Sequence, residues 1–204
     1  LTPINFWAHE YAGNTDEGSR DLASLIPEKV FDNPKPVKLI KRAIEHGCDE
    51  DSIVLDFFAG SGVTAQAVLE KNKEDGKSRR FIMVQLPETC DELSVAFKAG
   101  YKTISEITKE RTRRVIKKLN DEESGQLPIG GKQDRGFRVF KLAESNFKGW
   151  DSSTPKDGTA LAQQLELHID HIREGRTSDD ILYEILKILN WKAKLYTVWL
   201  AAEC

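Results

Sequence analysis

The sequence predicts an α/β fold, in which the strands of a parallel sheet alternate with helices. A strand at residues 53–55 ends in Asp56 and turns through a glycine-rich segment, 60–62, into a helix at 63–71. A second strand follows at residues 80–86, and further helices come after it. This alternation is typical of α/β layers built on a parallel sheet.

The segment before the first strand is predicted to hold a short helix and then a longer one. Residues 1–32 mix aromatic side chains with turn formers, which favours irregular structure with one short helix. Lys35 precedes a proline and is biased towards extended geometry, whereas Pro36 suits the first turn of a helix. Apolar residues then recur at helical spacing to about Glu45.

Two helices are predicted after the second strand. Thr89 and Glu92 have the spacing of a capping box, which predicts a helix that reaches Lys98. Gly100 ends it, and a long helix follows at residues 104–119.

The C-terminal part of the chain has a different character. Residues 121–135 are polar and glycine-rich, as in a linker, and a short strand is predicted at 136–142. Helices are predicted at about 159–173 and 178–189, the second of them capped by the pair Thr177 and Asp180. These features predict three regions, with boundaries at 1–32, 33–120 and 121–204.

Bulk composition excludes several classes of protein. The chain has 204 residues, of which 39% are hydrophobic and 31% charged, as in ordinary globular proteins. No apolar run approaches membrane-spanning length, the three cysteines show no metal or disulfide spacing, and the cytoplasm is the expected compartment. A net charge of −3 is unlike that of a free-standing DNA-binding protein. The chain begins with Leu1, and its single methionine is Met83, so we expect it to be part of a longer protein.

The turn after the first strand indicates a nucleotide-like ligand. Glycines allow close approach of the backbone, and the N-terminus of the following helix adds a favourable dipole. The carboxylate of Asp56 would repel a pyrophosphate but would pair with an ammonium group. S-adenosylmethionine (SAM) carries an ammonium and a sulfonium, so the turn favours SAM as the ligand.

Two other interpretations of the turn remain open. Residues 60–65 also satisfy the loose G-x-G-x-x-G/A pattern of dinucleotide-binding proteins. That pattern expects an acidic residue about twenty positions later, where this chain has Gln85. The glycines could also form a tight turn without any ligand.

A helix rich in basic residues raises the question of DNA contact. Basic side chains crowd residues 109–118, and Lys109, Arg113 and Lys117 share one face. Such a face could neutralise phosphates, or it could be the solvated outer face of a core helix. His168 and His171 are three residues apart, which is a weak metal signal, and no metal site is expected.

Two segments together resemble a known family. Residues 31–40 resemble motif X of amino-methylating DNA methyltransferases, and residues 56–64 resemble their motif I. This order resembles the permuted beta class of adenine-N6 methyltransferases. Segments at 81–88, 100–107 and 136–147 are similar to the modification (Mod) subunit of type III restriction–modification systems, over residues 5–188 in all.

The resemblance implies a fold and a function. The fold would be a SAM-dependent methyltransferase (Rossmann-like) sheet with helices on both faces, incomplete here, with a C-terminal α+β extension. The complete protein would transfer methyl from SAM to adenine at a specific DNA sequence. Its partners would be DNA, the restriction (Res) subunit and a second copy of itself.

The resemblance also assigns candidate site residues. Asp56 would hold the methionine ammonium, Phe58 would pack on the cofactor, and Gln85 would contact the ribose. Lys35 and Pro36 would lie beside the methionine end, and strand alternation predicts that one of the two phenylalanines belongs to the core. The full set of candidate cofactor-binding residues is Lys35, Pro36, Asp56, Phe57, Phe58, Ala59, Gly60, Ser61, Gly62, Thr64 and Gln85.

Two departures from the family pattern limit the prediction. The catalytic D/N-P-P-aromatic motif is absent, because no Pro-Pro dipeptide occurs in the sequence. We therefore expect the catalytic residues upstream of Leu1 and expect this chain alone to be inactive. Residues 190–204 do not follow the family and are expected to pack as a terminal helix or strand or to form an interface.

Three alternative functions remain open at this stage. The chain could belong to a methyltransferase acting on RNA, protein or a small molecule. It could be a non-catalytic SAM-binding or assembly module. A nicotinamide-dependent oxidoreductase is the most distant alternative.

Overall fold

The computed structural model contains a four-stranded parallel sheet, whose strands come from both halves of the chain. The structure describes residues 6–124, 133–142, 144–149, 157–167, 171–188 and 198–202. The chain divides into two compact units: Leu1–Leu142 with Tyr196–Cys204, and Ala143–Leu195.

The first unit holds the sheet, and its elements follow in chain order: α1 (His9–Ala12), α2 (Thr15–Ala23), α3 (Val37–Gly47), β1 (Ile53–Asp56), α4 (Val63–Asp75), β2 (Arg80–Gln85), α5 (Val95–Lys98), α6 (Ile104–Glu123) and β3 (Arg138–Leu142). The second unit contains α7 (Gly158–Leu167) and α8 (Ser178–Ile188). A last strand, β4 (Val198–Ala202), returns to the sheet of the first unit. No helix of the described residues is long and apolar enough to cross a membrane.

The strand order is β1-β2-β4-β3, and every neighbouring pair is parallel. The predicted α/β class with a parallel sheet is therefore confirmed. The tail was expected to pack as a helix or a strand, and residues 198–202 form the strand β4, which lies between β2 and β3. Residues 190–197 of that tail lie outside the described residues.

The core lies on the helix-covered face of β1 and β2. Phe81 and Met83 of β2 are buried in the same core as α4, whose residues 63–69 are all buried. On the alternate positions of β1, Ile53 and Leu55 are 51% and 47% exposed. The expectation of helices on both faces is thus not met at β1 within the described residues, although parallel sheets are normally covered on both faces.

Several predicted boundaries are wrong, and tertiary contacts explain why. Thr89 does not cap a helix, because it forms an antiparallel bridge with Thr103. The capping box belongs instead to Thr103 and Glu106 at the start of α6, and Ser94 caps the short α5.

Two further helix predictions differ from the structure. The N-terminal region holds two helices instead of one, because the side chain of Asn14 accepts from the Glu17 amide at 2.9 Å and caps α2. In the second unit the helix predicted to reach Arg173 has ended before Ile172, which bridges Phe147.

Candidate functional site

Asp56 lies at the carboxyl end of β1, where the chain leaves the sheet. Its Oδ1 accepts from the Phe58 amide at 3.0 Å, and its Oδ2 accepts from Oγ1 of Thr64 at 2.6 Å. Both donors are neutral, and Asp56 forms no ion pair with any described residue. These two hydrogen bonds fix the orientation of the carboxylate. Because each carboxylate oxygen can accept more than one hydrogen bond, both can still accept from a cationic donor.

Three backbone amides of the glycine turn donate to acceptors within the protein. The Ala59 amide donates to the Val84 carbonyl at 3.0 Å, and the Gly62 amide donates to the Ala59 carbonyl at 2.7 Å. The Gly60 amide donates to Oε1 of Gln85 at 2.8 Å. A pyrophosphate cradle needs such amides to face the ligand. The hydrogen bonding of the turn therefore weighs against the dinucleotide alternative.

The two glycines have close neighbours within the protein. Gly60 and Gly62 have φ angles of +50° and +84°, which residues other than glycine rarely adopt. A Cβ on Gly60 would lie 3.3 Å from Cζ of Phe31, and one on Gly62 would lie 3.2 Å from Cγ2 of Thr108. The protein itself thus requires these glycines, in addition to the close ligand approach that the sequence predicted.

The aromatic residues beside Asp56 are exposed. Phe57 and Phe58 have 64% and 86% of their surface accessible, so the prediction that one of them belongs to the core is wrong. The reason is that β1 ends at Asp56, and strand alternation does not continue into the turn. Two large apolar rings therefore lie open next to a fixed carboxylate.

Phe31, the first residue of the segment that resembles motif X, lies against this turn, whereas Pro36 packs near Gly13 and the Lys35 backbone near Gly18. Asp21 of α2 accepts from the Val37 amide at 2.9 Å and so caps α3 directly after Pro36. Pro36 is buried and Lys35 is exposed. Through Phe31, whose ring packs beside Gly60, the structure brings the two motifs together.

Gln85 lies at the end of β2, beside the turn, and is buried. Its side-chain oxygen accepts from the Gly60 amide. A ribose hydroxyl could donate to the second lone pair of this oxygen or accept from the NH₂ group, and this role stays a prediction.

Helix α6 supplies two contacts that sequence reasoning missed. Oγ1 of Thr108 donates to the Gly60 carbonyl at 2.5 Å. Arg111 donates from Nη1 to Oγ of Ser61 at 2.9 Å and from Nε to Oε1 of Gln66 at 2.8 Å. A signal existed, because both residues share the apolar face of α6 at helical spacing.

Arg111 is not available to DNA. It was grouped with the basic residues of its helix, but its side chain is fully buried. Burial lowers the pKa of its guanidinium to about 10, while Asp21 and Glu70 act in the opposite direction.

Acidic neighbours partly neutralise the remaining basic face of α6. Arg114 pairs with Glu110 at 2.7 Å and also donates to the Leu25 carbonyl. Arg113 lies 3.8 Å from the same carboxylate. Lys117 and Lys118 are exposed. The structure therefore favours a solvated outer face over a dedicated phosphate-binding surface.

In the second unit, the segment at residues 145–147 has a structural role. Glu184 of α8 accepts from the Ser145 hydroxyl and from the Asn146 amide, and these hydrogen bonds lower the pKa of its carboxyl group. Phe147 stacks on His171. His168 lies outside the described residues, among which no group of three or more potential metal ligands occurs.

Comparison with known proteins gives consistent matches. The model of a family described as DNA methylase matches residues 3–110. The Mod subunit of the type III restriction–modification enzyme StyLTI of Salmonella typhimurium is 39% identical over 139 residues, or 68% of this chain and 20% of that protein. The EcoPI Mod subunit of Escherichia phage P1 is 40% identical over 131 residues, or 64% of this chain and 20% of that protein.

A relative of another type also matches. The type II methyltransferase M.KpnI of Klebsiella pneumoniae is 35% identical over 115 residues, or 56% of this chain and 28% of that protein. This chain spans about a fifth of the length of the two Mod subunits.

Proposed function

Since the chain belongs to the DNA methylase family, we propose that it forms the SAM-binding part of a site-specific DNA adenine-N6 methyltransferase of a restriction–modification system. The resemblance to that family inferred from residues 31–40 and 56–64 is confirmed, because both segments lie within the matched residues 3–110. The observation that carries the proposal is the carboxylate of Asp56, which neutral donors fix and no described base neutralises.

The residues around Asp56 suit SAM as the cofactor. SAM supplies an activated methyl group, and its ammonium would pair with Asp56, whose two oxygens are already oriented. The exposed ring of Phe58 offers an apolar surface beside that carboxylate. Lys35 and Pro36 belong to the same segment as Phe31, whose ring lies beside the turn, and the NH₂ of Gln85 can donate to a ribose hydroxyl. These residues bind and orient the cofactor, and none of them acts on the substrate.

Adenine in DNA is the proposed substrate. The named relatives are modification subunits and a type II methyltransferase. The D/N-P-P-aromatic motif that would hold the flipped base is absent from the 204 residues. The chain alone is therefore proposed to be inactive, with its catalytic motif in the remainder of a longer protein.

The same proposal covers the assembly. Parallel sheets are normally covered on both faces, and β1 exposes Ile53 and Leu55. We assign the other half of a Rossmann-like methyltransferase domain to that face. The proposed partners are DNA, a Res subunit and a second copy of the modification subunit, and the proposed location is the cytoplasm.

One observation favours a second candidate function, a non-catalytic SAM-binding or assembly module. The missing Pro-Pro-aromatic motif would be expected of such a module, whereas a methyltransferase must carry the motif elsewhere. Sequencing the coding region upstream of Leu1 separates the two candidates.

The proposal is tested with the intact protein that contains this chain. Calorimetric titration should show binding of SAM and none of NAD. Incubation with radiolabelled SAM should then label duplex DNA but not RNA, and digestion of the DNA should yield N6-methyladenine. Binding of NAD in preference to SAM, or labelling of RNA alone, would contradict the proposal.

A further inference from the structure

We propose that Thr108 and Arg111 of α6 are positioning residues that hold the Asp56–Gly62 turn in its binding conformation. The role in cofactor affinity rests on the proposed function. The role in shaping the turn does not depend on it.

Thr108 contacts the turn through both branches of its side chain. Its hydroxyl donates to the Gly60 carbonyl at 2.5 Å, although it could be satisfied by the Ile104 carbonyl of its own helix at 3.1 Å. Its methyl carbon would lie only 3.2 Å from a Cβ on Gly62. Thr108 is fully buried, so both contacts are sequestered from water. One side chain thus constrains both residues of the turn that have a positive φ.

Arg111 occupies a buried position at which an apolar residue would cost less free energy of desolvation. It is fully buried, and among the described residues its partners Ser61 and Gln66 are neutral. Its Nη2 has no hydrogen-bond partner there. Burying a charge without an ion pair is costly, so this arginine contributes little to stability by its charge. What its rigid, forked geometry does supply is a fixed distance between Ser61 of the turn and Gln66 of α4.

The turn is therefore held from two sides. On one side the end of β2 accepts the Ala59 amide through Val84 and the Gly60 amide through Gln85. On the other side α6 binds the Gly60 carbonyl and the Ser61 hydroxyl. Removing the α6 contacts should leave the turn attached to the sheet but free to leave the left-handed region at Gly60 and Gly62.

Four variants of the intact protein test this assignment. Thr108→Val keeps the bulk of the side chain and loses the hydroxyl, and Arg111→Met keeps the length and loses the fork. Thr112→Val is the control for the first, because the Thr112 hydroxyl is equally buried one turn later but donates to the Thr108 carbonyl within the helix. Arg79→Met is the control for the second, because Arg79 is buried beside Asp75, away from the turn.

Hydrogen exchange of the segment 57–64, measured without ligand, reports the shape of the turn directly. We expect exchange there to accelerate roughly tenfold in Thr108→Val and in Arg111→Met, from the loss of one or two buried hydrogen bonds. The dissociation constant for SAM should rise by a similar factor of about ten. Both controls should lower the unfolding midpoint but should change neither the exchange at residues 57–64 nor the dissociation constant for SAM. Thr108→Ser, which keeps the hydroxyl, should restore much of the protection.

The outcomes separate the two proposals. Wild-type exchange at residues 57–64 in both test variants would overturn the inference, whether or not SAM binds. Equal acceleration in the controls would overturn it as well, since a general loss of stability would then explain the effect. If Arg111→Met fails to fold, Arg111→Lys replaces it, with the same expected acceleration because Lys lacks the fork. A protein that binds no SAM, but whose turn loosens only in the test variants, supports the inference and contradicts the proposed function.

Discussion

Each end of α4 carries a glycine with a positive φ, an aspartate and a buried arginine, but the charges are paired at only one of them. At the C-terminal end, Arg79 donates to both carboxylate oxygens of Asp75, at 3.2 and 3.0 Å. Asn72 joins the same cluster by donating to the Arg79 carbonyl and accepting from the Arg79 amide. Gly76 closes the helix with its amide on the Asn72 carbonyl. Asp75 and Arg79 are thus each other's counter-charge.

At the N-terminal end the same residue types are kept apart. Asp56 accepts only from neutral donors, and Arg111 donates only to neutral acceptors, among the described residues. The N-terminal end therefore lacks the ion pair that stabilises the other end, and under the proposed function its carboxylate is left available to a cation.

The largest expected effect is a loss of affinity for SAM when the carboxylate at the N-terminal end of α4 is removed. Asp56→Asn keeps one oxygen acceptor, for the Phe58 amide, and presents an NH₂ group that the Thr64 hydroxyl can accept from. It loses the negative charge that would face the ammonium of SAM. We expect affinity for SAM to fall about a hundredfold, as for the loss of one charge-assisted hydrogen bond. Calorimetric titration of the intact protein measures this loss.

The control is the matching substitution at the other end of α4. Asp75→Asn should leave the affinity for SAM unchanged, because Asp75 pairs with Arg79 at the end of α4 opposite to the glycine turn. Equal losses of affinity in the two variants would show that the ends do not differ in function.

The glycines at the two ends of α4 should differ in how much an alanine substitution destabilises the fold. Gly62 and Gly76 have similar left-handed angles, with φ of +84° and +70°. A Cβ on Gly76 would meet nothing within 4 Å, whereas one on Gly62 would meet Thr108 at 3.2 Å. Gly76→Ala should therefore cost only the left-handed penalty, about 1 kcal/mol. Gly62→Ala adds steric overlap and should cost about 2–3 kcal/mol in the free energy of unfolding.

Urea unfolding of the two alanine variants measures that difference. Gly62→Ala should also weaken SAM binding, and Gly76→Ala should not. Equal unfolding free energies would mean that α6 does not press against the turn.

Local signals in the sequence sufficed for much of the fold. Helices α4, α6 and α8 begin at Val63, Ile104 and Ser178, where the sequence placed their starts. Helix α3 begins at Val37, one residue after the proline that was predicted for its first turn. The signals were short-range ones: a proline before α3, the glycine turn before α4, and a cap pair before α8. Such signals act within a few residues and need no knowledge of the tertiary structure.

Where two local signals competed, the sequence could not decide between them. Thr89 with Glu92 and Thr103 with Glu106 have the same capping-box spacing. Only the second pair caps a helix, because Thr89 is bridged to Thr103 and the Cys90 amide donates to the Lys102 carbonyl. The choice depends on a contact between distant segments.

The candidate site shows the same limit. Asp56 and the glycine turn are contiguous, and the sequence placed them together at the end of a strand. Thr108 and Arg111 lie 48 and 50 residues from their partners in the turn, Gly60 and Ser61. Helical spacing puts Arg111 on the apolar face of α6 with Ile107 and Val115, but arginine is rarely buried, so its residue type grouped it with its exposed neighbours.

The smallest effect expected is on the pH dependence of stability at the ion-paired end. Burial alone would raise the pKa of Asp75, but hydrogen bonds from Arg79 and from the Lys77 amide lower it below its ordinary value of 3.8. A carboxyl group with a lower pKa in the folded state stabilises the fold above its unfolded pKa. That contribution is lost as the pH falls through the folded pKa, in the acid range below about 4.

Asp75→Asn isolates this contribution. Glu45 has a pKa that is also lowered, chiefly by its hydrogen bond from Lys71, and it contributes to the same acid range. The relevant quantity is therefore the difference in unfolding free energy between wild type and Asp75→Asn, followed by urea titration from pH 7 to the acid range. This difference should shrink as the pH falls below about 4, since the protonated Asp75 of the wild type then resembles Asn. A difference that stays constant with pH would show that the Asp75–Arg79 pair acts through packing. The charge pairing that distinguishes the two ends of α4 would then contribute nothing to the free energy of unfolding.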